Sequence, residues 1–109
     1  MNKTSKKQYK LVQSTTIEQL KNNNFRYIDG LYSYKFPVYK YQKDVLLWGF
    51  ILVDFENKAS SINVTDSNNY TYAAYHNRKY GRNKVVESID RKISKQMNIF
   101  IKDKIFTKR

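Results

Sequence analysis

Val45-Leu46-Leu47-Trp48-Gly49-Phe50-Ile51-Leu52-Val53 runs for nine residues without a charge. Its apolar side chains fall on both parities, so it reads as a strand covered on both faces and central in its sheet. A buried helix is disfavoured by Gly49 and by the aromatic and β-branched content. On the N-terminal side, Tyr, Phe, Val and Ile dominate from Phe25 onward. Asp29-Gly30 sits between Phe25-Arg26-Tyr27-Ile28 and Leu31-Tyr32-Ser33-Tyr34, which predicts a tight hairpin, since a type I′ turn needs two positive φ values. A bulge that joins both flanks into one bent strand is the alternative. Pro37, the only proline, cannot donate to a ladder, so the strand over 36–41 is an edge there or starts after it.

On the C-terminal side, Asp54, Glu56, Asn57 and Lys58 form a polar turn, 61–65 a short strand, Asp66-Ser67-Asn68-Asn69 a second turn, and 70–75 a last strand. The sheet is then an antiparallel meander of four or five strands. From Val85 the period becomes helical. Val85, Val86, Ile89, Ile93, Met97, Phe100 and Ile101 make one apolar stripe that must lie on a sheet face, with Glu87 and Arg91 paired on the outer side. Periodicity does not settle whether the helix runs through Ile105 or breaks near Asn98 into a closing strand at 98–106; the helix is the favoured reading. Near the start, Thr15-Thr16-Ile17-Glu18 matches a capping box, Leu20 gives a short helix its apolar contact, and Asn22-Asn23-Asn24 ends it. Residues 1–13 read as a basic flexible arm outside the core, and 14–109 as a single domain. The fold class is α+β: an antiparallel sheet packed against a long C-terminal helix, with a short N-terminal helix.

The chain has 109 residues, enough for one domain, and its 40% apolar fraction supplies a core. With no cysteine and one histidine, it has no disulfide framework, thiolate site or His-rich zinc centre. No stretch approaches the roughly 18 apolar residues of a membrane span, and Met1-Asn2-Lys3-Thr4-Ser5-Lys6-Lys7-Gln8-Tyr9-Lys10 lacks an apolar signal core. The expectation is a protein of the cytoplasm, without cofactor or membrane partner.

The net charge is +12, which favours a polyanionic partner. Lys, Asn, Ile and Tyr make up 46 of the 109 residues, as an AT-rich coding sequence alone produces. The acidic residues, however, did not rise with the basic ones, and the positive charge is bunched. Lys3, Lys6, Lys7 and Lys10 open the chain, Arg78, Lys79, Arg82 and Lys84 cluster in a loop, and Lys102, Lys104, Lys108 and Arg109 close it.

The segment from Tyr70 to Lys84 interleaves aromatic and basic side chains. Cations neutralise phosphates and release counterions, and aromatic faces stack on unpaired bases. The candidate interface is therefore Tyr72, Tyr75, His76, Arg78, Lys79, Tyr80, Arg82 and Lys84, with Lys6 and Lys7 of the arm. The partner is nucleic acid, RNA before DNA, or a protein that bears it. The plainer reading is a polar connection whose tyrosines plug the core rim. Tyr32, Tyr34, Tyr39, Tyr41, Tyr70 and Tyr72 pair at i,i+2 spacing, so they form either an aromatic platform or part of the core, depending on which way they face.

His76 beside Arg78 and Lys79 has the makings of a metal-independent ribonuclease, which needs proton transfer and charge neutralisation. Asp54, Glu56 and Asp66 are the one set of carboxylates with any claim on a divalent cation. A phosphate loop, a nucleophile elbow and metal-ligand spacings are all absent from the sequence. A structural or virion-associated protein is a further reading. With its lysine-rich opening, single domain and lack of catalytic signature, the chain resembles small accessory proteins of phages and mobile elements of low-GC Gram-positive bacteria, among them the anti-CRISPR inhibitors of type II systems. No alignable motif carries that likeness. Many such inhibitors are acidic DNA mimics, from which +12 departs. The resemblance implies a non-enzymatic inhibitor that engages a Cas effector or its guide RNA.

Overall fold

The computed structural model describes residues 9–42, 45–76 and 84–108. Along the chain lie β1 (Tyr9–Leu11), α1 (Ile17–Asn22), β2 (Arg26–Ile28), β3 (Leu31–Gln42), β4 (Val45–Asp54), β5 (Ala59–Thr65), α2 (Ala73–His76), α3 (Lys84–Lys102) and β6 (Phe106–Lys108). The fold is α+β. β2, β3, β4 and β5 form an antiparallel meander in that order, and β1 and β6 form a separate two-stranded ribbon. β4 is central, as its uncharged run requires. Asp29 (φ 51°) and Gly30 (φ 88°) turn the first hairpin with two left-handed residues.

Register sorts the side chains of the sheet. Tyr32 lies opposite Val53, Tyr34 opposite Ile51 and Phe36 opposite Gly49, with Ile62 and Val64 of β5 on the same side. α3 closes this face with Val86, Ile89, Ile93, Met97 and Phe100, all buried. Phe100 is the hub of the aromatic packing, with ring centroids 5.4 Å from Phe25, 5.2 Å from Tyr34 and 6.0 Å from Phe106. Gly49 lets β3 bend over β4: a Cβ there would sit 2.7 Å from Val38 Cγ1 and 3.0 Å from Phe36 Cζ. Val38 is the extra residue of a bulge between Pro37 and Tyr39. β2 stops pairing at Ser33, so Pro37 has a ladder on one side only, the edge position a proline demands.

The expectation that both faces of β4 are covered holds for one face. Leu46, Trp48, Phe50 and Leu52 are half-buried on the other, and none of them joins the core cluster. Charge-free sequence on both parities was compatible with two buried faces, but among the described residues one long helix covers one of them.

Three boundaries differ from the sequence reading. Tyr9 and Leu11, expected within a free arm over 1–13, are buried and pair with Lys108 and Phe106. The Ser60 hydroxyl donates to Tyr9 O at 3.1 Å and ties the ribbon to β5. α3 ends at Lys102 rather than running through Ile105, and no strand spans 98–106. Lys104 takes φ 63°, and the amides of Ile105 and Lys104 return to Phe100 O and Ile101 O, the pattern of a Schellman motif. Residues 70–75 are not a strand; Thr71 makes a single bridge to Thr65 and α2 follows.

The capping box of α1 is shifted by one residue, with Thr16 as the cap and Gln19 as its partner. Thr15 is withdrawn from that role because its buried hydroxyl donates to Ile105 O at 3.0 Å. Asn24 (φ 71°) ends the helix as the Asn run predicts. Both polar turns form, with Asp54 accepting from Asn57 Nδ2 and Asp66 from the amides of Asn68 and Tyr70.

Candidate nucleic-acid interface

Of the residues singled out from sequence, Lys6, Lys7, Arg78, Lys79, Tyr80 and Arg82 lie outside the described residues. The others are placed as follows. Tyr75 is a correction: at 2% exposure it belongs to the core and offers no face for stacking. Tyr72 is half-buried against the core, and its amide donates to Val64 O at 2.8 Å. His76 Nε2 accepts the Val64 amide proton at 3.0 Å, and its ring stands edge-on to Tyr75 at 5.1 Å. Tyr72 and His76 thus satisfy both backbone groups of Val64 on the outer edge of β5. With Nε2 an acceptor, the neutral ring carries its proton on Nδ1. Lys84 is exposed and begins α3.

Of the two fates open to the paired tyrosines, three take the core rather than the platform. Tyr32, Tyr34 and Tyr39 share the face that α3 covers, so they serve the core, and Tyr70 is 71% exposed outside the sheet. Asp54 and Asp66 lie toward opposite ends of the sheet, because Ala59 pairs with Asp54 and Thr65 with Trp48. Among the described residues no group of three acidic, histidine or cysteine side chains is placed to hold a metal.

The fold nevertheless gathers cations along α3. At 100° per residue, Lys84, Arg91, Lys95 and Lys102 fall within about 20° of one line, opposite the buried stripe. All four are exposed. The line is about 27 Å long at 1.5 Å per residue. Ser88 and Asn98 complete the ridge, and Arg91 Nη2 donates to the Ser88 hydroxyl at 3.1 Å. Glu87 and Asp90 lie to one side of it. At the C-terminal end the β1–β6 ribbon sets Lys10 beside Thr107 and carries Lys108, joining two of the three basic clusters. The third begins at the opposite end, where Lys84 starts the helix. Among the described members of those clusters, Lys84 and Lys102 mark the two ends of the ridge.

A second basic surface lies across the molecule. Arg26, Lys35 and Lys40 sit on the face of the sheet away from α3, by their pairing with Ser33, Phe50 and Leu46. Lys35 Nζ hovers 4.5 Å from the Trp48 ring centroid and 5.8 Å from that of Phe50. Lys58, by contrast, is spent on the fold: its Nζ lies 3.6 Å from the Phe55 ring centroid and donates to Thr15 O at 3.2 Å.

The sequence reading missed both surfaces. Helical spacing alone would have found the ridge, since the residues between its cations fix the angle. No helix among the described residues is long and apolar enough to cross a membrane. In comparisons with known proteins, the chain matches no family model, no curated protein and no solved structure.

Proposed function

We propose that this protein is a non-enzymatic nucleic-acid binder of the bacterial cytoplasm that takes RNA in preference to DNA. In keeping with its likeness to mobile-element inhibitors, the RNA is met on a ribonucleoprotein such as a Cas effector. The observation that carries this reading is the α3 ridge, where Lys84, Arg91, Lys95 and Lys102 point to solvent along one line. A duplex presents roughly one phosphate per 1.7 Å of axis, so a ridge of about 27 Å finds phosphates whatever the sequence. Contacts of this kind give affinity and orientation without base readout. The absence of an enzymatic role is part of the proposal. It is supported by His76, whose Nε2 lone pair is taken up by the Val64 amide.

The test is a mobility shift with labelled RNA and DNA over a salt series. Four ridge contacts predict log affinity falling with log salt at a slope of roughly −3 to −4. Failure to bind either polymer at low salt would refute the proposal.

A further inference from the structure

The face of the sheet opposite α3 has no part in the ridge reading. We infer that it is a second, independent site that stacks the unpaired bases of single-stranded nucleic acid on Trp48 and Phe50. Leu46, Trp48, Phe50 and Leu52 form an unbroken apolar row along β4, and Ile28, 52% exposed, extends it at the hairpin. Contiguous apolar surface of this kind marks a binding face.

Its surroundings say what kind of ligand fits. Arg26, Lys35 and Lys40 stand on the same face. Among the described strand residues there, Asp54 is the single carboxylate. It lies at the end of β4 and accepts from Asn57. Where β2 stops, a cleft of about 570 Å³ opens over the free edge of β3. Lys21, Arg26 and Lys35 line it with Phe25, Tyr34 and Phe50, and among the described residues the lining holds no carboxylate.

Cations beside half-buried rings, without acids, match a strand that offers a phosphate and a flat base at every nucleotide. An acidic peptide would satisfy the cations but leave Trp48 and Phe50 unmatched, and a purely apolar partner would bury Arg26 and Lys35 unpaired. Lys35 rests on both rings in the free protein. Its flexible stem lets the ammonium swing to a phosphate as a base takes its place.

Trp48 is the only tryptophan, so its fluorescence reports on this face alone. Titration with short oligouridylate and oligothymidylate at low salt is expected to quench it saturably, and the relative affinities tell whether RNA or DNA is the better source of the ligand. Phe50→Ala is expected to weaken the oligonucleotides by about tenfold or more. Lys35→Glu, at an exposed position that leaves the core intact, is expected to do the same. The ridge variant Arg91→Ala/Lys95→Ala should leave quenching by short oligonucleotides unchanged while weakening duplex binding, which separates failure of this site from failure of the ridge. Absence of quenching by both oligonucleotides would overturn the inference. So would full binding by both Phe50→Ala and Lys35→Glu. A monomer–dimer equilibrium abolished by Phe50→Ala would assign the face to a second copy of the chain and overturn it equally.

Discussion

Leu47, Gly49, Ile51 and Val53 alternate along one strand with Leu46, Trp48, Phe50 and Leu52, and the two sets have opposite fates. The first is sealed beneath α3, with Ile51 and Val53 at 0% exposure. The second remains half-buried, with Lys35 Nζ over the rings of Trp48 and Phe50. Nothing in hydropathy separates them, because both are uncharged and rich in large side chains. What separates them is that a single amphipathic helix can cover one face. The lesson is that a strand apolar on both sides, with one long helix among the described residues, has only one of its faces sealed by that helix.

The sharpest way to break this comparison is a matched pair of truncations on β4. Ile51→Ala removes a fully buried side chain and is expected to cost about 2–5 kcal/mol of folding stability. Phe50→Ala, one residue earlier, is expected to cost under about 1.5 kcal/mol, since the ring takes no part in the core. Chemical denaturation of the two variants measures both. Equal losses would mean that the outer face is held as tightly as the inner one.

Next in size is His76→Ala. If this histidine at the end of α2 is scaffold, its removal leaves the Val64 amide without its acceptor and lowers stability by about 1–2 kcal/mol, with affinity for RNA unchanged. Loss of affinity at full stability would return His76 to the binding surface. The smallest effect carries the opposite sign. Lys104 holds a left-handed conformation that glycine adopts freely. Lys104→Gly is therefore expected to stabilise the fold by about 1 kcal/mol, seen as a raised thermal midpoint.

These residues also show what the sequence could tell and what it could not. The central strand, the Asp29-Gly30 hairpin, the two Asp-led turns and the amphipathic stripe of α3 were legible, because local turn chemistry and periodicity decide them. Elements decided by distant partners were not. Thr15 looks like a helix cap until Ile105, 90 positions away, takes its hydroxyl. Tyr9 and Leu11 look like tail until β6 pairs with them. The end of α3 was hidden because it falls on a lysine in the left-handed region, where glycine or asparagine is the usual signal. Of the candidate interface, the sequence singled out the loop around Tyr75 and His76, whose described aromatics turned out to serve the fold. The ridge was within reach of a helical projection, but Trp48 and Phe50 looked like core until the register showed which way they faced.

The central claim is that the outward row of α3 supplies the phosphate contacts, and a salt series on Arg91→Ala/Lys95→Ala tests it most directly. Removing two contacts is expected to make the slope of log affinity against log salt shallower by about 1.4 to 1.8, with affinity reduced alike for every sequence tried. A slope and affinity equal to those of the unaltered protein would contradict the claim and place the phosphates elsewhere.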